Sequence, residues 1–192
     1  MIKKLQEVAT ITAGHYFSKK VQREQGGDYK VLQLRDVGDL EELHDISPLA
    51  TIDFEGKGKS ILEKGDILIT TRATSGTGIR TLVYTGEPDS VVASSLFFIV
   101  RAKDDFVSKE YLAEYLQTKP ALQDLMKLTT GASIKMLLRK RVGELSIPVP
   151  SRDTQDKEVA AARVIREQLD RIKSKQEKLL AIKSQIFSTQ YR

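Results

Sequence analysis

The sequence contains no cysteine, no tryptophan and only two histidines, His15 and His44. Without cysteine there is no disulfide, no thiolate nucleophile and no cysteine-ligated zinc, which is compatible with the cytoplasm. Neither histidine lies in a recognisable motif or beside ligands at metal-binding spacing. No apolar run approaches the roughly 18 residues of a membrane span, and polar residues interrupt the apolar stretch at the amino terminus. We therefore expect no membrane segment and no export signal.

Catalytic and cofactor motifs are also missing. The stretch Ser75-Gly76-Thr77-Gly78 resembles a phosphate-binding loop, but no Lys-Ser/Thr pair closes it and no strand-to-helix context surrounds it. The sequence has no acidic-Pro-Pro-aromatic tetrapeptide, no glycine-rich cofactor turn and no clustered set of carboxylates for a metal. These absences predict a protein that binds no cofactor and catalyses no reaction itself.

Basic charge is concentrated at the carboxy-terminal end. The formal net charge is +5, but residues 151–192 hold ten Lys/Arg and six Asp/Glu, which leaves 21 and 20 for residues 1–150. A basic balance favours an acidic partner without identifying it. Any DNA-binding face on the first 150 residues must therefore come from local clusters of cations.

Short β-like runs followed by two helical stretches predict an α+β fold for residues 1–150. The helical stretches cover residues 108–118 and 120–128, with Ser108 as an N-cap and Pro120 opening the second helix. Glycine-rich and Pro-Asp breaks separate the apolar runs, which cover residues 29–34, 66–71, 79–84 and 91–100. We expect a curved, mostly antiparallel β-rich domain.

A single long helix is predicted for the remainder of the chain, residues 151–192. The prolines within residues 147–150 favour an extended connection, and residues 153–190 contain neither glycine nor proline. Steps of three and four residues define a heptad seam with two polar interruptions: Ala162, Ile165, Leu169, Ile172, Gln176, Leu179, Lys183 and Ile186. A helix of about 35 residues is too long to bury this stripe on the domain alone, so we expect a second helix along it.

Polar and basic residues at strand ends are the first candidates for DNA contact. Arg72 and Arg80 bracket a loop of small residues that contains Thr74, Ser75 and Thr77, and Thr71 directly precedes Arg72. All of these residues are candidates for DNA contact. Arginine can contact guanine through two hydrogen bonds, and glycine allows a close approach of the backbone. Arg35 is a similar strand-end candidate. The alternatives are solvated surface arginines and an Arg35–Asp36 charge pair.

A second candidate segment covers residues 131–141. It begins with a glycine and carries Ser133 followed by four cations, Lys135, Arg139, Lys140 and Arg141. These residues could contact phosphate. The alternative is a solvated helix face that packs through Met136 and Leu137.

Several segments together resemble the DNA-specificity (S) subunits of type I restriction–modification systems. Residues 5–14 are similar to the domain opening of that family, and residues 29–36 and 64–72 are similar to its central strands. Gly131-Ala132-Ser133, then residues 145–150 and Gln155, resemble the exit from its target recognition domain into a conserved helix. The order of these pieces over nearly the whole chain makes the resemblance specific.

The resemblance implies a target recognition domain (residues 1–150) that reads half of a split double-stranded DNA site, and a spacer and dimerisation helix (residues 151–192). Complete members are similar to two such units in tandem, so this chain is expected to pair with a second copy as a homodimer. The pairing residues would be Ile165, Leu169, Ile172, Leu179 and Ile186. Methyltransferase subunits, which carry the adenine chemistry and S-adenosylmethionine, and restriction subunits are the other implied partners.

Two alternatives from other classes stay open at this point. The chain could be a protein-interaction module with a coiled-coil helix that binds no DNA. It could also be a fragment of a DNA-modifying enzyme, against which the missing motifs argue.

Overall fold

The apolar runs of the amino-terminal unit form open β-sheets in a computed structural model, which describes residues 1–19, 21, 26–38, 41–55, 58–73, 78–86, 91–103 and 105–188, with side chains to residue 186. The strands are β1 (Ile2–Lys4), β2 (Ala9–Ala13), β3 (Tyr29–Leu32), β4 (Glu42–Leu43), β5 (Ala50–Ile52), β6 (Ile67–Thr70), β7 (Thr81–Tyr84), β8 (Val91–Ala93), β9 (Phe97–Ala102) and β10 (Ser146–Pro148). The helices are α1 (Leu5–Val8), α2 (Leu34–Val37), α3 (Lys109–Gln117), α4 (Lys119–Lys127), α5 (Arg139–Gly143) and α6 (Arg152–Ser188).

The central sheet has the order β2-β9-β6-β7-β4 among the described residues. All of its neighbours are antiparallel except β4 and β7. Every residue of β6 is buried, because β6 lies in the middle with partners on both sides. A smaller sheet with the order β5-β3-β8 pairs β3 with β5 antiparallel and with β8 parallel.

One apolar core holds the two larger sheets together. It combines Leu32 of β3 and Val91 of β8 with Leu68, Leu82 and Phe97 from the central sheet. All five side chains are fully buried. The predicted α+β, mostly antiparallel fold is confirmed, and the sheets are open.

Several sequence-based boundaries were wrong. The run predicted at residues 91–100 is two strands, β8 and β9, separated by the turn at residues 94–96. Residues 147–148, predicted as part of a stiff connection, belong to β10, which pairs with β1. Strand β2 was not predicted, because Thr10 and Thr12 interrupt its apolar pattern. It nevertheless pairs with β9 along its whole length.

Helix α3 begins after its predicted cap, Ser108, and α4 begins one residue before Pro120, its predicted first residue. The Ser108 side chain accepts a hydrogen bond from the Tyr111 N–H, and Thr118 caps α4 by accepting one from Ala121. Pro120 lies in the first turn of α4, where its missing N–H costs nothing. The two short helices contact each other, and α3 packs on β7 and β9.

Helix α6 makes up nearly all of a second compact unit, Asp153–Arg192, and the first unit is Met1–Arg152. The helix contains 37 residues, which corresponds to about 55 Å at 1.5 Å per residue. The five predicted pairing residues are each between 50% and 61% exposed. No helix in the described part of the chain is long and apolar enough to cross a membrane.

A charged pair ties β9 to the start of β6. The Arg101 Nε and Nη2 donate to the two carboxylate oxygens of Asp66, each at 2.7 Å, and Asp66 is only 1% exposed. The second oxygen also accepts from the Glu63 N–H at 2.8 Å. The hydrogen bond to Asp66 raises the pKa of Arg101 above its usual value.

We predict that Arg101→Met lowers the free energy of unfolding by about 2 kcal/mol, because it leaves the buried Asp66 carboxylate without its cation. This is less than for a fully buried pair, since Arg101 is partly exposed. Urea unfolding measures the change. The matched control is Lys103→Met, which removes a neighbouring cation and leaves no buried carboxylate without a partner. Equal stability of the two variants would contradict a stabilising role for the pair.

Candidate nucleic-acid interface

Three of the predicted DNA-contact residues lie together at one end of the central sheet. Strand β6 ends at Thr70 opposite Phe97, the first residue of β9. The Thr71 N–H donates to the Leu96 carbonyl at 2.8 Å, and the Thr70 N–H donates to the Arg80 carbonyl at 2.9 Å. The Arg80 N–H returns a hydrogen bond to the Thr70 hydroxyl at 3.0 Å. We call this place, defined by Thr71, Arg72 and Arg80, the Arg72 end.

The second predicted segment joins the Arg72 end, although it follows about 60 residues later in the chain. The Leu137 N–H donates to the Thr71 carbonyl at 2.8 Å, and the Ala73 N–H donates to the Lys135 carbonyl at 2.9 Å. Arg72 and Met136 form an antiparallel bridge between these two contacts. The structure therefore brings together two candidate groups that the sequence placed far apart.

A tight loop holds residues 131–135 at this position. Thr130 and Met136 exchange two backbone hydrogen bonds of 2.8 Å, which close the loop. Gly131 has a φ of +102°, and a Cβ there would lie 2.3 Å from the Ile134 carbonyl oxygen. Only glycine fits this conformation without a clash. Ser133 and Lys135 are exposed in the loop.

The side chains at the Arg72 end differ in how far they reach the surface. Thr71 is 7% exposed, and its backbone N–H and carbonyl are both hydrogen-bonded. Thr71 is therefore buried beneath the surface of the Arg72 end. Arg72 is half-buried, and its Nε has no hydrogen-bond partner among the described residues. A buried N–H without a partner carries a desolvation cost.

The other three predicted cations occupy α5. Arg139, Lys140 and Arg141 form its first three positions and are exposed. The alternative interpretation, a helix face packed through Met136 and Leu137, was wrong in its details. Both residues precede α5, and only Leu137 is buried, whereas Met136 is 45% exposed.

A basic groove lies between α5, α1 and β2, and it contains a cation that sequence reasoning missed. The groove has a volume of about 650 Å³ and is lined by Arg139 and Lys140 together with Gln6, Thr10 and Lys103. The Lys103 Nζ donates to the Gln6 carbonyl at 3.0 Å. The pairing of β2 with β9 carries Lys103 to this place, and that pairing had no signal in the sequence.

Arg35 does not lie at a strand end, which corrects its predicted position. It belongs to α2, whose first turn is closed by Asp36 accepting from the Gln33 N–H at 2.9 Å. Its Nη2 donates to the Val21 carbonyl at 3.4 Å, and its Nε lies 3.8 Å from Asp36. The alternative charge pair is thus present, and DNA contact by Arg35 stays a prediction. Three further candidates, Thr74, Ser75 and Thr77, lie outside the described residues.

Metal-binding geometry is absent from the part of the chain that the structure describes, which holds no group of three or more His, Asp or Glu side chains suited to an ion. His15 instead makes edge contacts with Phe17 and Phe54, with ring centroids 4.7 and 5.0 Å apart. Its surroundings are those of a packed aromatic cluster.

Comparison with known proteins identifies the class of this fold. The model of the type I restriction modification DNA specificity domain family matches residues 1–183. Among solved structures, the chain is similar to the HsdS subunit from Thermoanaerobacter tengcongensis, with a TM-score of 0.62 and 22% identity over 88% of this chain and 38% of that one. The type I S subunit from M. genitalium matches with a TM-score of 0.55 and 13% identity, over 91% and 41%. No curated protein matches the sequence significantly.

The fold is therefore that of a DNA-specificity domain. This chain belongs to the type I restriction–modification DNA specificity family, as the resemblance of its segments predicted. The chain spans about two fifths of the length of the S subunits it matches. A third similar structure is the type IIG restriction endonuclease BpuSI, with a TM-score of 0.60 and 11% identity over 84% of this chain and 26% of that chain.

We predict that Gly131→Ala destabilises the domain by about 1–2 kcal/mol, because alanine disfavours a positive φ and its Cβ would meet the Ile134 carbonyl. The free energy of urea unfolding measures this. Gly58→Ala is the control, since a Cβ there meets open space and needs no positive φ. Equal stability of both variants would show that the loop is not held as described.

Proposed function

We propose that this chain is a non-catalytic specificity subunit that binds one half of a double-stranded DNA site and directs a partner adenine methyltransferase to it. The observation that carries the proposal is the meeting of the two cation-bearing segments at the Arg72 end, in a chain of the DNA specificity family. Recognition needs side chains held in fixed directions, and main-chain bonds on both sides of Arg72 supply that constraint.

The interface divides into reading and anchoring parts. Arg72 and Arg80 leave a rigid strand end, where an arginine can donate two hydrogen bonds to guanine in the major groove. Lys135, Arg139, Lys140 and Arg141 are exposed cations that contact phosphate, and Lys103 joins them in the basic groove. Because residues 1–150 are nearly neutral, these few side chains supply most of the domain's attraction for DNA.

The partners follow from the family. The methyltransferase subunits supply the adenine chemistry and S-adenosylmethionine, a restriction subunit supplies cleavage, and the assembly works in the cytoplasm on double-stranded DNA. The chain is also similar to a solved structure described under the structural basis underlying complex assembly and conformational transition of the type I R-M system, with a TM-score of 0.65 and 20% identity over 93% of this chain and 41% of that one.

The second candidate function is that of a recognition segment within a DNA-cleaving or DNA-modifying polypeptide. The similarity to the endonuclease BpuSI favours it, because the fold covers only a quarter of that chain. Transfer of a labelled methyl group to DNA by this chain alone, or cleavage by it, would support the second candidate. Dependence of both activities on added methyltransferase and restriction subunits supports the first.

We predict that two groups of substitutions change DNA binding in different ways. The first group is Arg72→Ala and Arg80→Ala, and the second is Lys103→Ala, Lys135→Ala, Arg139→Ala, Lys140→Ala and Arg141→Ala. Loss of a guanine-reading arginine costs about 1–3 kcal/mol and relaxes preference at one base pair, whereas loss of a phosphate contact weakens all duplexes and reduces the salt slope by about one. The measurement is binding of the assembled methyltransferase complex to its mapped methylation site and to single-base variants of that site, across a salt series.

If Arg72→Ala and Arg80→Ala both leave the ranking of the DNA duplexes with single-base changes as it is in the wild type, the Arg72 end does not read bases. Glu110→Ala, which removes an exposed charge on α3, serves as the control for changes in net charge. A wild-type complex that binds every duplex equally would contradict the proposed function as a whole.

The exposed stripe of α6 supports a homodimer. Ile165, Leu169, Ile172, Leu179 and Ile186 lie along one face, and Ile172, Gln176, Leu179 and Leu180 border a hollow of the kind that receives a side chain in a coiled coil. In an antiparallel pair, Gln176 and Lys183 favour one register over others. A two-fold dimer reads a palindromic bipartite site, since half-site symmetry mirrors protein symmetry.

We predict that Leu169→Asp with Ile172→Asp dissociates the dimer and leaves the β domain folded. Carboxylates facing each other across an apolar seam lose the hydrophobic contact and bring unpaired charge into it. Light scattering at tens of micromolar measures the mass. The control is Val164→Asp with Ala181→Asp, two exposed apolar residues at heptad positions away from the seam and its flanks. A wild-type monomer, or a dimer that survives the seam substitutions alone, would contradict this pairing.

A further inference from the structure

Three large apolar side chains are exposed within five residues of each other beside the Arg72 end. Ile134 is 57% exposed, Met136 45% and Leu138 52%, and we call them the apolar row. Among the other described residues of the first unit, the exposed large apolar residues are scattered, at Met1, Ile2, Tyr16 and Phe106. A cluster of this kind on an otherwise well-buried domain marks a contact surface.

The exposure of the apolar row is built into the backbone. Thr130 and Met136 close the loop with two hydrogen bonds, and Gly131 provides the conformation that no other residue adopts easily. Leu137 turns the opposite way and is buried, while the Leu137 N–H is bonded to Thr71. The loop therefore has no freedom to fold its apolar side chains back into the core.

Met136 stands on the same face as the arginine that we assign to base reading. Residues directly opposite in an antiparallel bridge share a face, with Cβ atoms about 4.5–5.5 Å apart. Met136 is opposite Arg72 on one side and opposite Thr130 on the other. A duplex that reaches the Arg72 guanidinium therefore also meets Met136.

The charges around the apolar row select nucleic acid over a protein surface. Lys135 lies within it, and Arg139, Lys140 and Arg141 follow it directly, all of them exposed. Cations within and directly after an apolar strip match the bases of a duplex and the phosphate backbone beside them. Apolar side chains in such positions contact thymine methyl groups or wedge against a base step.

We infer that the apolar row enters a groove of the DNA half-site and contacts the bases, chiefly through Met136 and Ile134. The inference rests on the proposed function, since it places the row beside the base-reading arginine. It adds a contact without charge or hydrogen bonds to the recognition surface, and therefore one that depends on the shape and methyl groups of the groove.

The test is binding of the assembled methyltransferase complex to its mapped site, across a salt series, with Ile134→Ala and Met136→Ala. We expect each variant to weaken binding by about five- to thirtyfold, as for a few methylene groups lost from an apolar contact, with an unchanged salt slope. Lys135→Ala, between them, should instead reduce the slope by about one. Ile2→Ala, which shortens an even more exposed side chain on β1, away from the Arg72 end, is the control and should change nothing.

Two further measurements test whether the apolar row acts without contacting DNA, either by binding the methyltransferase subunits or by positioning Arg72. Assembly with the methyltransferase subunits is followed by light scattering without DNA, where a weaker assembly of the variants would make the row a subunit contact and overturn the inference. Met136→Ala is also combined with Arg72→Ala. An effect of Met136→Ala that vanishes in the Arg72→Ala background would show that Met136 acts only by positioning the arginine, which also overturns it.

Binding that is unchanged in both single variants would likewise overturn the inference, whereas loss of specific binding by the wild-type complex itself would instead mean failure of the proposed function. Met136→Leu, which keeps an apolar side chain of similar size, should restore most of the affinity. Unfolding in urea confirms that each variant is folded, and the exposed positions make large losses of stability unexpected.

Discussion

The proposed recognition surface depends on the main-chain hydrogen bonds of Thr71. Its N–H donates to Leu96 and its carbonyl accepts from Leu137, so this one residue joins the end of β6, the turn before β9 and the loop before α5. Its neighbour Arg72 can leave the domain in a fixed direction only because the backbone on both sides is held. Strand β6 is in turn fully buried at the centre of its sheet, and the Asp66–Arg101 pair secures its other end. Arg72, the arginine that we propose to read a base, thus follows a fully buried strand.

Local signals were sufficient to predict the elements that depend on neighbours in sequence. The strands β6 and β7 are apolar runs between glycine-containing segments, and the start of α3 is marked by the cap Ser108 and that of α4 by Pro120. The long helix α6 follows from its composition. These predictions succeed because the deciding interaction lies within a few residues.

The elements that were missed depend on partners far away in the chain. Strand β2 alternates threonine with apolar residues and has little strand signal of its own, yet β9, about 90 residues later, supplies all of its pairing. Strand β10 similarly forms on β1. Arg35 was misplaced for a local reason: Asp36 caps the turn at Gln33, and β3 ends two residues before the predicted strand does. For the site, the sequence identified most cations, but only the backbone bonds show that residues 72 and 136 are neighbours, and only the β2–β9 pairing carries Lys103 to Arg139.

The distribution of charge decides how DNA binding by this protein has to be interpreted. Residues 1–150 are almost neutral, whereas residues 151–192 carry most of the net charge. Counterion release depends on all cations near phosphate, so a basic helix contributes to the salt dependence of the whole protein without taking part in reading. The absolute salt slope therefore says little about the Arg72 end. Differences in slope between variants of the domain, measured with α6 unchanged, cancel the contribution of the helix and isolate the phosphate contacts of the domain's own cations.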